Sequence, residues 1–201
     1  MPPDGGTFPV LSWHDAPVSA TVFETERLVV RDWTAGDAER MYDMYSRDDV
    51  VRFLGAAPSP MPSLAAAEER ITRGRLRNDE ERAAGTPFGW WAAEVRDSGV
   101  VAGSIALVPV DGSRDASAPV EVAWALHPDA QGHGYATEGA RAAIVRGHEA
   151  GLAEVLALID PANLPSQAVA KRLALEPAGV TEEFYGKPLM LWLSRRSTGA
   201  A

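Results

Sequence analysis

A short glycine-containing stretch constrains this chain more than any other feature. The stretch, Gln131 to Ala136, reads QGHGYA and lies between an apolar run at 122–126 and an alanine-rich segment at 137–150. The pattern predicts a strand, a tight loop and a helix. Glycines let the backbone turn sharply and let an anion approach the peptide N–H groups without a Cβ in the way. The following helix points its positive end at the same place, so we predict a phosphate or diphosphate site here.

The spacing excludes two common phosphate-binding loops. A P-loop ends in Gly-Lys-Ser/Thr, and this tripeptide does not occur in the chain. A dinucleotide fingerprint needs a third glycine three residues after the second, where Thr137 stands. The remaining order is Gln-x-x-Gly-x-Ala. Taken alone, this order is also compatible with a glycine turn that binds no ligand.

Composition limits the possible classes of protein. The chain has 201 residues, 46% of them hydrophobic, which predicts one domain at 21–197 with an N-terminal arm at 1–20 and a tail at 198–201. The absence of cysteine excludes thiol nucleophiles, disulfides and thiolate metal sites, and we predict no metal site. A net charge of −9 disfavours binding to nucleic acid. Without a signal sequence or an apolar run of membrane-spanning length, we expect a cytoplasmic, soluble protein.

The pattern along the chain predicts a mixed α/β (α+β) fold with a central, largely antiparallel sheet flanked by helices. The strand before the loop should lie beside the strand at 154–159. Predicted strands lie at 23–31, 89–96, 100–108, 120–126, 154–159, 181–185 and 189–193, and predicted helices at 38–46, 64–84, 137–150 and 166–175.

Three segments resemble the GNAT family of acetyl-coenzyme A (acetyl-CoA) dependent N-acetyltransferases, in the right order. They read TERLVVRDWTAGDAERMYDMYSRDDVVRFLG, EVAWALHPDAQGHGYATEG and NLPSQAVAKRLALEPAG. The branch that they resemble acetylates the N-termini of ribosomal proteins. The resemblance extends over residues 25–195 and implies the GNAT fold, acetyl-CoA as cofactor and transfer of an acetyl group to an amine.

The resemblance also assigns residues to the cofactor. The loop would hold the diphosphate, and the chain before it would pair with the pantetheine arm where the sheet splays after residue 126. Diphosphate contacts are expected from Gln131, Gly132, His133, Gly134, Tyr135, Ala136 and Thr137, and pantetheine contacts from Leu126, His127 and Asn163. Ser166 would face the thioester. Lys171 and Arg172 are candidates for the adenosine phosphates, although such residues are also common on helix surfaces.

The implied reaction needs few protein groups. The amine must lose a proton before it attacks the thioester, the oxyanion needs a donor, and the departing thiolate takes up a proton. By resemblance the base is Glu121, which could instead be a solvated carboxylate at a strand edge. Many relatives place a tyrosine seven residues after the asparagine, where this chain has Ala170. The proton for the thiolate is therefore left to Ser166, to water or to Tyr185.

Other functions remain open at this stage. The acceptor is an amine on a peptide N-terminus or a small molecule, with no nucleic acid or membrane partner, and a homodimer is expected by analogy. A noncatalytic acyl-CoA binding or regulatory module on the same fold is the main alternative, because the family tyrosine is missing. A phosphate-binding protein for nucleotides is disfavoured by the spacing of the loop.

Overall fold

The computed structural model describes residues 20–110 and 118–196. The predicted arm before residue 20, the tail and the polar loop at 111–117 lie outside these ranges. Within them, no helix is long and apolar enough to cross a membrane. The same residues contain no group of three or more His, Asp or Glu side chains placed to hold a metal ion.

The described part of the chain forms one eight-stranded sheet in the order β1-β2-β3-β4-β5-β6-β8-β7. Neighbouring strands are antiparallel except β5 and β6, which are parallel. The predicted mixed sheet and the predicted pairing of β5 with β6 are thus confirmed. The strands are β1 (Thr21–Glu24), β2 (Leu28–Arg31), β3 (Gly89–Val95), β4 (Val101–Pro109), β5 (Val120–Leu126), β6 (Glu154–Ile159), β7 (Glu176–Thr181) and β8 (Leu189–Arg195).

Helices cover both faces of the sheet. They are α1 (Ala38–Tyr45), α2 (Asp48–Val51), α3 (Leu64–Ala83), α4 (Tyr135–Glu149) and α5 (Leu164–Arg172). Because side chains alternate along a strand, Trp91 packs with α4 and α5 whereas its neighbour Ala92 packs with α1 and α3. Close packing of α4 depends on small residues, since a Cβ on Gly139 would lie 2.8 Å from a side-chain carbon of Ile105.

The sheet opens between β5 and β6. The only residues of these two strands that pair in register are Glu121 and Leu156, so the strands separate immediately after Glu121. This is earlier than the splay after residue 126 that the sequence suggested. On its other side, β5 lies very close to β4, because a Cβ on Gly103 would come within 2.1 Å of the Ala125 carbonyl oxygen. The end of β5 therefore follows β4 and leaves an open fork next to β6.

Several boundaries differ from the prediction. The predicted strand at 23–31 is two strands, because the Thr25 hydroxyl accepts the Leu28 N–H at 3.0 Å and closes a turn between them. The strand predicted at 181–185 instead ends at Thr181. Tyr185 has a φ of 57°, a left-handed conformation that does not continue a strand.

Candidate active site

The loop after β5 presents unused backbone N–H groups. Gly132 and Gly134 have φ values of 82° and 85°, in the left-handed region that favours glycine. The Gln131 N–H donates to the Pro128 carbonyl at 3.3 Å. From Gly132 to Thr137, no N–H donates to an acceptor within the described ranges. These amides, including the first ones of α4, are therefore available to an external anion, as the predicted cradle requires.

A cavity of about 640 Å³ lies beside these amides, between the end of β5 and α5. It is lined by the end of β5, the loop, the start of α5 and the segment around α2, which contributes Arg52 and Phe53. The Thr137 hydroxyl borders this cavity and is buried without a hydrogen-bond partner among the residues described. A buried, unpartnered hydroxyl beside unused amides fits an anionic ligand that supplies acceptor oxygens.

The His127 side chain lies away from the cavity. The His127 backbone N–H donates to the Ala102 carbonyl at 2.9 Å, and the side chain is buried between two carboxylates. Nε2 lies 2.8 Å from Asp43 Oδ2, and Nδ1 lies 2.8 Å from Asp129 Oδ1. His127 is absent from the cavity wall, and its assignment to the pantetheine, through its backbone, stays a prediction.

Two residues near His127, Leu126 and Asp129, have different roles. Leu126 lines the cavity, and its carbonyl accepts a hydrogen bond from the Gln131 side chain at 3.3 Å. Asp129 holds the turn before the loop in place, because the Arg40 guanidinium binds its carboxylate at 2.7 and 2.9 Å. Hydrogen bonding to Arg40 lowers the pKa of Asp129 to about 2, so this ion pair persists across the physiological range.

The far end of the loop is held by Glu138, in the first turn of α4. Its carboxylate accepts the Thr25 hydroxyl at 2.6 Å and the Arg27 backbone N–H at 2.8 Å. The Arg27 guanidinium pairs with the same carboxylate and also donates to the His133 carbonyl at 2.9 Å. No local pattern in the sequence points to Arg27, because this contact joins residues 111 positions apart.

On the opposite wall, α5 presents Asn163 and Ser166 to the cavity. The Asn163 side-chain oxygen accepts the Ser166 N–H at 3.2 Å and so caps the helix, which leaves the Asn163 amide group available. Of the two basic residues suggested for the adenosine phosphates, Arg172 lines the cavity and Lys171 does not. Ala170, which occupies the position of the family tyrosine, is buried in the core and cannot reach a ligand.

Glu121 lies at the point where the fork closes, with only 8% of its surface exposed. Tyr185 enters from the turn before β8, and its hydroxyl donates to Glu121 Oε2 at 2.7 Å. Burial raises the pKa of Glu121 to about 7, while hydrogen bonds from Tyr185 and from the Leu158 backbone act in the opposite direction. Burial and the nearby Glu121 carboxylate also raise the pKa of Tyr185 well above its usual value, so the phenol stays protonated.

Comparison with known proteins gives consistent matches. Residues 27–176 match the family model described as an acetyltransferase (GNAT) domain. The uncharacterized N-acetyltransferase YnaD of Bacillus subtilis is 25% identical over 169 residues, which cover 84% of this chain and 90% of that protein.

Solved structures share the fold at lower sequence identity. The ribosomal-protein-S5-alanine acetyltransferase from Vibrio fischeri is 17% identical with a TM-score of 0.68, covering 92% of this chain and 100% of that one. The microcin C7 self-immunity acetyltransferase MccE, in complex with acetyl-CoA and AMP, is 15% identical with a TM-score of 0.69, covering 90% of this chain and 97% of that one.

Proposed function

Because the chain belongs to the acetyltransferase (GNAT) family, we propose that it transfers the acetyl group of acetyl-CoA to a primary amine by direct attack in a ternary complex. The amine lies on a peptide N-terminus or on a small molecule. The observation that carries this proposal is the row of unused amides beside the cavity. The buried Glu121 carboxylate lies on β5, the strand whose other end lines that cavity.

Residues of the loop and of α5 fit the cofactor. The N–H groups from Gly132 to Thr137 and the positive end of α4 bind the diphosphate, with the buried Thr137 hydroxyl as an additional donor. The Leu126 backbone and the Asn163 side-chain amide lie along the fork and hold the pantetheine arm. When bound, acetyl-CoA supplies the activated acetyl thioester. No metal ion is needed for this chemistry.

Glu121 acts as the general base of this reaction. A base works best when its pKa lies near the working pH, and burial brings the pKa of Glu121 to about 7. Its carboxylate accepts the amine proton directly or through one water molecule. Tyr185 holds the carboxylate in one orientation through the 2.7 Å hydrogen bond from its hydroxyl.

Ser166 is the donor for the departing thiolate. It lines the cavity, and its hydroxyl makes no hydrogen bond to any other residue that the structure describes, so it is free to donate. Tyr185 is less suited to this step, because its hydroxyl already donates to Glu121. The roles of base and acid therefore fall on different elements, β5 and α5.

Calorimetry with acetyl-CoA is the first test. We expect saturable binding to the folded protein, followed by release of CoA thiol when a panel of peptide and small-molecule amines is added. Absence of binding at high micromolar acetyl-CoA would contradict the function proposed here. Binding without transfer to any amine would instead favour the noncatalytic alternative.

The Glu121→Gln variant tests the base. We expect kcat to fall by about a hundredfold, since general base catalysis contributes this much, while the Kd for acetyl-CoA stays the same. In the wild type, kcat should rise with pH and level off above about 7, because the carboxylate is the active form. Steady-state rates between pH 5 and 9 measure this profile.

The Tyr185→Phe variant tests whether the midpoint of that pH profile belongs to Glu121. It removes a hydrogen bond that favours the ionised carboxylate, so the pKa of Glu121 and the midpoint of the profile should move to higher pH. A flat profile in the wild type, or an unchanged kcat in Glu121→Gln, would exclude Glu121 as the base.

A further inference from the structure

The outer side of the loop carries a charged cluster that the reaction described above does not use. It consists of Thr25 and Arg27, in the turn between β1 and β2, and Glu138 in the first turns of α4. The Arg27 guanidinium is 2.7 Å from Glu138 Oε2 through Nε and 2.6 Å through Nη2. Thr25 and the Arg27 backbone N–H occupy the other carboxylate oxygen.

Arg27 also contacts the loop itself. Its Nη1 donates to the His133 carbonyl at 2.9 Å, and its guanidinium lies 5.1 Å from the centre of the Tyr135 ring. When successive N–H groups of a loop converge on one anion, the carbonyls of that loop must point elsewhere. The bond from Arg27 holds the His133 carbonyl on the outer side of the loop, away from the cavity.

The charge of Glu138 makes Arg27 necessary. Partial burial would raise the pKa of Glu138, but the hydrogen bonds from Thr25 and Arg27 outweigh this effect and lower it. Glu138 is therefore ionised at neutral pH, one turn from the amides of α4. An unpaired carboxylate there would interact favourably with the helix dipole, but it would repel an anionic ligand at the same helix end. The guanidinium offsets that charge.

We propose that Arg27 is a positioning residue for the diphosphate of the cofactor and acts through the loop and Glu138. It fixes the outward direction of the His133 carbonyl and neutralises Glu138 at the start of α4. This inference rests on the proposed function, because it needs acetyl-CoA as the ligand of the loop. It assigns part of the cofactor affinity to the β1–β2 turn, outside the cavity.

The test compares Arg27→Met with Arg96→Met. Arg96 holds the same turn, through the Thr25 carbonyl at 3.1 Å and Glu24 at 2.9 Å, and makes no hydrogen bond to α4 or to the loop among the residues described. We expect Arg27→Met to raise the Kd for CoA roughly tenfold or more, as expected for a lost charged hydrogen bond. Its Kd for S-acetylpantetheine, which lacks the diphosphate, should not change. Arg96→Met should bind both ligands like the wild type.

A second substitution separates charge from simple loss of structure. In the Arg27→Met background, the Glu138 carboxylate has lost its arginine partner. The additional substitution Glu138→Gln removes that unpaired negative charge, so the affinity for CoA should partly recover. If Arg27 only supported the fold, the double variant would bind CoA more weakly still. If Arg27→Met does not fold, Arg27→Lys replaces it and should bind CoA with intermediate affinity.

The outcomes distinguish this inference from the function on which it rests. A wild type that does not bind CoA refutes both. A wild type that binds CoA, together with an Arg27→Met variant of equal affinity, refutes only the role of Arg27. Equal weakening for CoA and for S-acetylpantetheine would also refute it, because the effect would then not depend on the diphosphate.

Discussion

The two helices that border the cavity begin in opposite ways. Helix α5 begins with a side-chain cap, because the Asn163 oxygen accepts the Ser166 N–H at 3.2 Å. Helix α4 begins at Gly134, which has a left-handed backbone and no side chain that could cap the helix. The first amides of α5 are thus partly satisfied within the chain, whereas those of α4 have no acceptor among the residues described.

This difference shows what each helix start is suited to do. A capped helix end contributes to stability before any ligand arrives, while an uncapped one keeps its donors for an external acceptor. The start of α4 is instead stabilised by Glu138, in its first turn, through bonds to Thr25 and Arg27 in the β1–β2 turn. The structure thus separates the group that fixes the helix from the groups that bind the ligand.

The largest effect is expected from filling the open end of α4. Gly134→Val places a branched side chain on a residue with a φ of 85°, and its Cβ would lie 3.4 Å from the Arg27 guanidinium. The loop must then change shape, so we expect the affinity for acetyl-CoA to fall by roughly a hundredfold or more. Isothermal titration of the purified variant measures this loss.

Gly179→Val is the control for that substitution. Gly179 lies in β7 with a φ of 97° and open space around it, so a valine there creates similar backbone strain away from the cavity. The control should lose stability but keep its affinity for acetyl-CoA. Equal losses of affinity in both variants would mean that strain alone explains the Gly134 result.

A smaller effect is expected from removing the cap of α5. Asn163→Ala makes α5 begin without a side-chain cap, as α4 does, and should lower the free energy of unfolding by about 1 kcal/mol. It should also weaken acetyl-CoA binding, because the side-chain amide of Asn163 is lost from the cavity wall. Urea unfolding and calorimetry measure the two losses separately. Unchanged stability would contradict the cap.

The smallest effect is expected at the far end of α5. Arg172 and Lys171 are adjacent and both exposed, but only Arg172 lines the cavity. Arg172→Ala should weaken acetyl-CoA binding about two- to fivefold, as expected for an exposed charge pair. Lys171→Ala should bind like the wild type. The reverse order would place the adenosine phosphates on the other side of α5.

The sequence predicted the regular parts of the fold well. Strand β6 was predicted at its observed bounds, 154–159, because it is a short apolar run between turn signals. The alanine-rich segment was correctly predicted as a helix, and its Ala140 and Ala143 are fully buried. The loop was identified because glycines at two alternate positions give a local signal.

The sequence predicted contacts between distant segments poorly. The contact of the His127 side chain with Asp43 on α1 was not predicted, because the two residues are 84 positions apart. The strand β7 was placed too late, because Glu176–Thr181 lies at the exposed edge of the sheet and lacks an alternating apolar pattern. Which tyrosine reaches Glu121 depends on the path of the turn before β8, which no local pattern encodes.

The Glu121 carboxylate lies on the residue at which β5 and β6 begin to separate. Glu121 pairs with Leu156 where β5 and β6 meet, and its carboxylate is the group that we propose accepts the amine proton. Further separation of β5 from β6 would therefore displace the Glu121 carboxylate. A shift of the strand register by one residue would turn the Glu121 side chain to the other face of the sheet. Room for acyl chains longer than acetyl must then come from the side walls, by trimming residues such as Trp124 or Val169. Substrate range can thus evolve without moving the carboxylate that we propose as the base.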